Sequence, residues 1–168
     1  MERNPIAIYL NDHLAGATVG VEVARRARNS NKDNEFGDFL RRLTREIEDD
    51  RQTLRSVMSE LGVRVDRAKQ AAAWGSEKVG RLKPNGRLVG YSPLSRVVEL
   101  ELLAIGISGK LGMWRALQDV LGESLTSADL ASLIERADRQ RTEVDEYRLR
   151  AANGAFRAES SATVSSNR

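Results

Sequence analysis

Apolar residues return at steps of three and four along four stretches of the chain, the spacing of one face of an α-helix. In the first, Ile6, Leu10, Leu14, Ala17, Val21 and Ala24 form the stripe. It follows Asn4 as a cap and Pro5 at the first helical position, where a missing N–H costs nothing. The pattern fades at the polar Asn29-Ser30-Asn31. A second stripe, Phe36, Leu40, Leu43, Ile47, Leu54, Met58 and Leu61, predicts a helix from about Asp33 to Leu61, stopped by Gly62. Ser92-Pro93 opens a third, with Leu94, Val97, Val98, Leu102, Ile105, Leu117 and Val120 as its expected buried face and Gly122 beyond its end. Thr126 and Asp129 have cap-like spacing ahead of the fourth, in which Leu130, Leu133, Ile134, Ala137, Val144, Tyr147 and Ala151 reach about Asn153.

The connections set the expected topology. Short links join helices one to two and three to four, so each pair should form an antiparallel hairpin. Residues 63 to 91 hold one minor helical candidate, Val65 to Lys78, and then the turn-rich "GRLKPNGRLVGY". Such a link is long enough to travel the length of the helices. The expectation is an all-α chain: an up-down four-helix bundle with one long crossover carrying a short extra helix. Residues 1 to 155 form its single domain, and the polar 156 to 168, "RAESSATVSSNR" from Arg157 onward, is expected to be a disordered tail.

Composition narrows the chemistry. The 168 residues are 40% hydrophobic and 30% charged, as in a globular domain with a real core. With no cysteine, disulfides, thiolate metal sites and thiol nucleophiles are excluded. Basic residues exceed acidic ones only by 27 to 24, too small an excess to argue for nucleic acid. No apolar run approaches the roughly 20 residues that span a bilayer, so no membrane partner is expected. "MERNPIAIYLNDHLAG" lacks a basic start before an apolar run, so a signal peptide is not expected and the default compartment is cytoplasmic.

The segments "YLNDHLAGATVGVEVARRA", "EIEDDRQTL", "RVVELELLAIGISGK" and "RTEVDEYRLRAANGAF" resemble the four core helices of small bacterial members of the ferritin-like superfamily. The resemblance covers roughly residues 5 to 155 and rests on helix lengths and connection order. It implies a di-iron or di-manganese centre, with a glutamate from each of two helices and Glu-x-x-His from each of the others. One histidine in the whole chain rules out two such motifs. Where they would fall, Glu46 is followed by Asp49 and Glu143 by Glu146, while helix one offers Ala17 and Thr18, with Glu22 a turn away. The expectation is therefore no metal, no cofactor and no catalytic residues. The chain would act as a structural or protein-interaction module, self-associating as a homo-dimer or binding another protein. The alternative is a degenerate site for a metal or other ligand that uses carboxylates alone, with Glu22, Asp50, Glu101 and Glu143 as candidates.

Phase sorts the acids of "REIEDDRQTL". Glu46, Glu48 and Asp49 fall beside or opposite the stripe and read as a solvated face, paired at i, i+4 with Arg42 and Arg45. Asp50 falls on the stripe. So do Glu101 on helix three and Gln140 or Arg141 on helix four, all near mid-helix. Together they predict a salt-bridged polar layer, because an unpaired buried carboxylate costs several kcal/mol. Side chains that flank the stripe and reach out to water are the simpler reading. The link holds Arg64, Arg67, Lys69, Trp74, Lys78 and Arg81, an aromatic among cations that is a candidate anion-binding surface. Docking of that helix through Trp74, Val79 and Leu82 is the simpler reading. His13 is expected at or just beneath the surface, and Trp114 in packing. "GISGKLG" lacks phosphate-loop spacing, so Gly106 and Gly109, like Gly16 and Gly20, are expected to let helices approach closely.

Overall fold

The structure, a computed structural model, describes residues 4–71 and 91–165, without the side chains of 123 and 158–165. Among these residues it is all-helical, with four long helices: α1 (Pro5–Ser30), α2 (Gly37–Glu60), α3 (Pro93–Leu121) and α4 (Leu130–Ser165). A further helical stretch begins at 67 and is followed to 71. No helix among the described residues is long and apolar enough to cross a membrane.

Local chemistry sets most of the boundaries. Asn4 Oδ1 accepts from the Ile6 N–H ahead of Pro5, and Ser92 and Ser95 cap each other reciprocally ahead of Pro93. Asp129 Oδ1 accepts from the Ser132 N–H at the start of α4. Gly62 and Gly122 end α2 and α3 with positive φ, a conformation other residues rarely adopt. Helix α2 starts later than the expected Asp33 because 32–36 form turns, in which Asn34 Oδ1 accepts from the Phe36 N–H. A side chain at Gly37 would put its Cβ 2.7 Å from the Lys32 carbonyl oxygen, so this tight start requires glycine. Helix α4 continues to Ser165, past the expected tail boundary at 156, through alanines with high helix propensity.

Cross-helix bonds give the directions. Arg25 reaches Glu48 (2.6 Å) and Thr44 Oγ1 donates to the Ala24 carbonyl (3.2 Å), pairing α1 with α2. Arg42–Glu143 (2.7 Å) and Arg139–Glu46 (2.8 Å) run down an antiparallel α2–α4 pair. Asn11 near the start of α1 donates to the Arg64 carbonyl, while Asn31 at its far end donates to Tyr91 Oη. The two ends of the 63–91 link therefore lie at opposite ends of α1, and α2 and α3 run in the same direction.

At the closed end of α2, Glu60 accepts from Thr126 N (2.8 Å), Thr126 Oγ1 (2.9 Å) and Ser127 N (2.9 Å), clamping the loop before α4. Bonds from Ser127 and Thr126 hold its pKa down from 4.5 to about 2. A depressed carboxylate contributes stability above its unfolded pKa and loses it as pH falls through the folded value. Stability should therefore drop between pH 4.5 and about 2 in the wild type. Glu60→Gln should flatten that part of the curve, as read by urea denaturation in steps across the window.

The face of α3 is where the sequence pattern misleads. Its buried residues are Val97, Glu99, Leu100, Leu103, Ile107, Leu111, Met113, Trp114 and Leu117. The expected Leu102, Ile105 and Val120 are 48%, 65% and 73% exposed. This helix is apolar nearly all round, so period alone does not choose a face.

The core falls into two apolar halves. One gathers Val21 and Ala24 of α1, Phe39 and Leu43 of α2, Leu100 and Ile107 of α3, and Val144 of α4. The other gathers Leu14, Leu54, Trp114 and Leu133 with their neighbours. Between them, at mid-helix, lie Gly16 to Gly20, Asp50, Lys110 and Gln140.

Candidate functional site

Asp50 sits at the centre of that dividing level, 4% exposed. Lys110 of α3 binds its Oδ2, and Arg136 of α4 lies against its Oδ1. Lys110 Nζ also donates to Gln140 Oε1 (2.5 Å), and Gln140 Nε2 donates to Glu46 (2.8 Å), which Arg139 holds from the solvent side. The result is a charged network joining α2, α3 and α4 across the core. Burial pushes the Lys110 ammonium below its ordinary 10.5, against the pull of Asp50.

Asp50 and Gln140 occupy the buried layer expected of them, whereas Glu101 and Arg141 do not. Glu101 is exposed, one step round α3 from the buried Leu100, because the packed face of that helix differs from the expected one. Arg141 is exposed and pairs with Asp138 on its own helix. The cations at the centre are instead Lys110 and Arg136. Lys110 lies three residues after Ile107 and four before Trp114, and Arg136 lies three after Leu133 and four before Gln140, so helical spacing carried both.

The remaining acids of the 45–54 stretch also pair differently from the i, i+4 expectation. Arg42 bonds Glu143 rather than Glu46, Glu46 is half-buried against α4, and Glu48 is held by Arg25. Of these acids only Asp49 is exposed. The stretch is therefore a seam between helices, since α4 and α1 bring cations to it that no local spacing reveals.

The carboxylate quartet does not assemble. Glu22 is bonded by Arg25, Glu143 by Arg42, Glu101 faces solvent, and Asp50 carries its two cations. Among the described residues no three Asp, Glu or His side chains converge in a way that suits a metal ion. A divalent cation at Asp50 would be repelled by Lys110 and Arg136 on both carboxylate oxygens. These residues do not fit the two-metal group that a ferritin-like resemblance implies.

Beside the layer is a cavity of about 310 Å³ between α1, α2 and α3. Gly16, Ala17 and Gly20 face it from α1, and Gly106 and Gly109 from α3. A Cβ at any of these four glycines would meet nothing within 4 Å among the described residues. This corrects the expectation of close helix approach: the absent side chains open space instead. Ile47, Leu54, Ile107 and Met113 supply apolar wall. Trp114, wholly buried on the same wall, has an indole N–H without a partner among the described residues. His13 is half-buried, edge-on to Tyr9 at 4.6 Å, and burial lowers its pKa against the pull of Asp12.

Arg51 also lines the cavity and makes no hydrogen bond or ion pair with the described residues. Burial, with Arg55 and Arg25 nearby, pushes its pKa down. The acids that would offset it, Glu48 and Glu22, are both engaged by Arg25.

A second buried charge, Glu99, accepts from Arg26 (2.5 Å) and Tyr91 (2.7 Å) and ties the start of α3 to α1. Burial raises its pKa while those two donors oppose the shift. Sequence phase missed it for the same reason that it misplaced Leu102.

Of the basic link, Arg64 and Arg67 are exposed, and Lys69 bonds Asp12 (2.6 Å). Trp74, Lys78 and Arg81, like the docking residues Val79 and Leu82, lie outside the described residues. Comparisons with protein-family models, with curated proteins and with solved structures each found no match to this chain.

Proposed function

We propose that the chain is a ferritin-like four-helix bundle that works without a metal, as a structural or interaction module rather than as a catalyst. One observation carries this reading: at mid-bundle, Asp50 has a lysine and an arginine on its two oxygens. Two cations there neutralise the carboxylate that a metal would need and join three helices in one register. Such buried polar sets are attested as devices that specify how helices pair. The helix directions and the end-to-end placement of the 63–91 link support the ferritin-like order. Exposed Leu102, Ile105 and Val120 on α3 favour contact with a second copy or another protein.

Thermal unfolding with and without excess manganese, iron(II) or zinc tests the central claim. A specific metal at a hundred times its Kd adds about 2.7 kcal/mol to stability. The midpoint is expected to stay put. A saturable rise that Asp50→Asn abolishes would return the carboxylate-only metal site to first place.

The cavity favours a second reading, ligand binding, because its volume lies at the lower end of the roughly 300–1,000 Å³ of small-molecule sites.

A further inference from the structure

We infer that the cavity between α1, α2 and α3 binds a small organic monoanion with an apolar body, a medium-chain aliphatic or an aromatic carboxylate. Its carboxylate pairs with Arg51, and its body lies against Leu54, Ile107 and Met113.

Size comes first. About 310 Å³ is roughly twice the ~150 Å³ of a protein cavity that takes up benzene, which points to about ten non-hydrogen atoms. The space exists because α1 presents glycine and alanine at the level where Asp50, Lys110 and Gln140 come from the other helices. The walls are mainly apolar, as small-molecule sites are, with few polar groups to orient a guest.

Charge selects the class. Among the described residues a cationic guest finds no free carboxylate on the wall: Asp50 is held by Lys110 and Arg136, and Asp12 by Lys69. A neutral guest would leave Arg51 half-buried and without a partner among the described residues, beside Arg55 and Arg25. An anion at Arg51 offsets that repulsion. One charge suffices, because Lys110, the second cation among the described residues of the wall, is already bonded to Asp50 and Gln140. Trp114, whose N–H has no partner among the described residues, lies on the same wall and supplies a further donor and an optical reporter.

This inference shares with the metal-free reading one premise, that both oxygens of Asp50 are occupied by its two cations. Metal uptake is read by thermal unfolding with added manganese, iron(II) or zinc and ligand uptake separately below, so either can fail alone.

Calorimetric titration of the full chain with octanoate, 1-octanol and octylamine tests it. Octanoate should bind at one site and raise the unfolding midpoint, and octylamine should not bind. Arg51→Gln should weaken octanoate by about tenfold or more, the worth of a charge-assisted hydrogen bond, and leave 1-octanol unchanged. Gly20→Leu adds a side chain where a Cβ meets nothing among the described residues, so the variant should fold and lose octanoate. Equal affinity for octanoate and 1-octanol, insensitive to Arg51→Gln, would overturn the anionic class. Octanoate bound undiminished by folded Gly20→Leu would overturn the location, and no binding of any probe would overturn the site itself.

Discussion

Asp50→Ala is expected to lower the unfolding free energy by about 3–5 kcal/mol, the cost of removing one partner from a buried ion pair. The methyl group leaves Lys110 and Arg136 facing each other across the core, with only Gln140 Oε1 still bonded to the lysine. Urea denaturation at neutral pH measures the loss as a lower midpoint at unchanged slope. The deficit should also depend on pH in a defined direction. Lys110 already sits below 10.5 because it is buried, and without Asp50 its neutral form is favoured further. A base with a depressed folded pKa costs most below that pKa, so the variant should recover as pH rises toward 10.5. A companion change separates pairing from packing. Asp50→Leu combined with Lys110→Met removes both buried partners, and Arg136, which is partly exposed, can turn its head to water. Replacing a buried pair by apolar residues is often neutral or stabilising by about 1–4 kcal/mol, so the double variant should be far more stable than Asp50→Ala. A single-variant loss under about 1 kcal/mol would show that the network contributes little, since even one unsatisfied buried group costs that much.

Phe39→Ala should cost about 3–5 kcal/mol, the range for deleting a fully buried aromatic ring. Phe39 stacks on Tyr147 with ring centroids 3.9 Å apart and planes within 3°, and Phe36 meets the same tyrosine edge-on at 5.8 Å. The ring therefore joins α2 to α4 in the apolar half of the core that holds Val21, Leu43 and Val144. Its removal leaves a void that the helices cannot close, because the Arg42–Glu143 and Glu46–Arg139 pairs hold their spacing. Phe39→Leu should recover more than half of the loss, and the same denaturation experiment compares the two. Equal losses for alanine and leucine would mean that the stacked geometry, rather than the filled volume, is what stabilises this end.

The sequence alone determined the four helices and most of their ends, though not the start of α2 or the end of α4. Asn4-Pro5 and Ser92-Pro93 start helices, and Gly62 and Gly122 stop them, because these signals act through the backbone within one or two residues. The same local logic placed Asp50 on the buried side of α2 and left Gln140 or Arg141 for α4, of which Gln140 is the buried one. It failed on α3, where apolar residues on every side leave the choice of face to the helices packed against it. That choice exposes Leu102 and Ile105, buries Glu99, and brings Lys110 to Asp50 from 60 positions away. Only the tertiary structure also decided which cations meet Asp50: Arg136 lies on the packed side of α4, whereas Arg141, five residues on and about 140° further round, faces solvent. It decided the meaning of the glycines too: Gly16, Gly20, Gly106 and Gly109 could bring two backbones together or keep them apart around a space. The sequence names small residues, and the distance between helices, set by the side chains above and below them, turns their absence of bulk into a cavity.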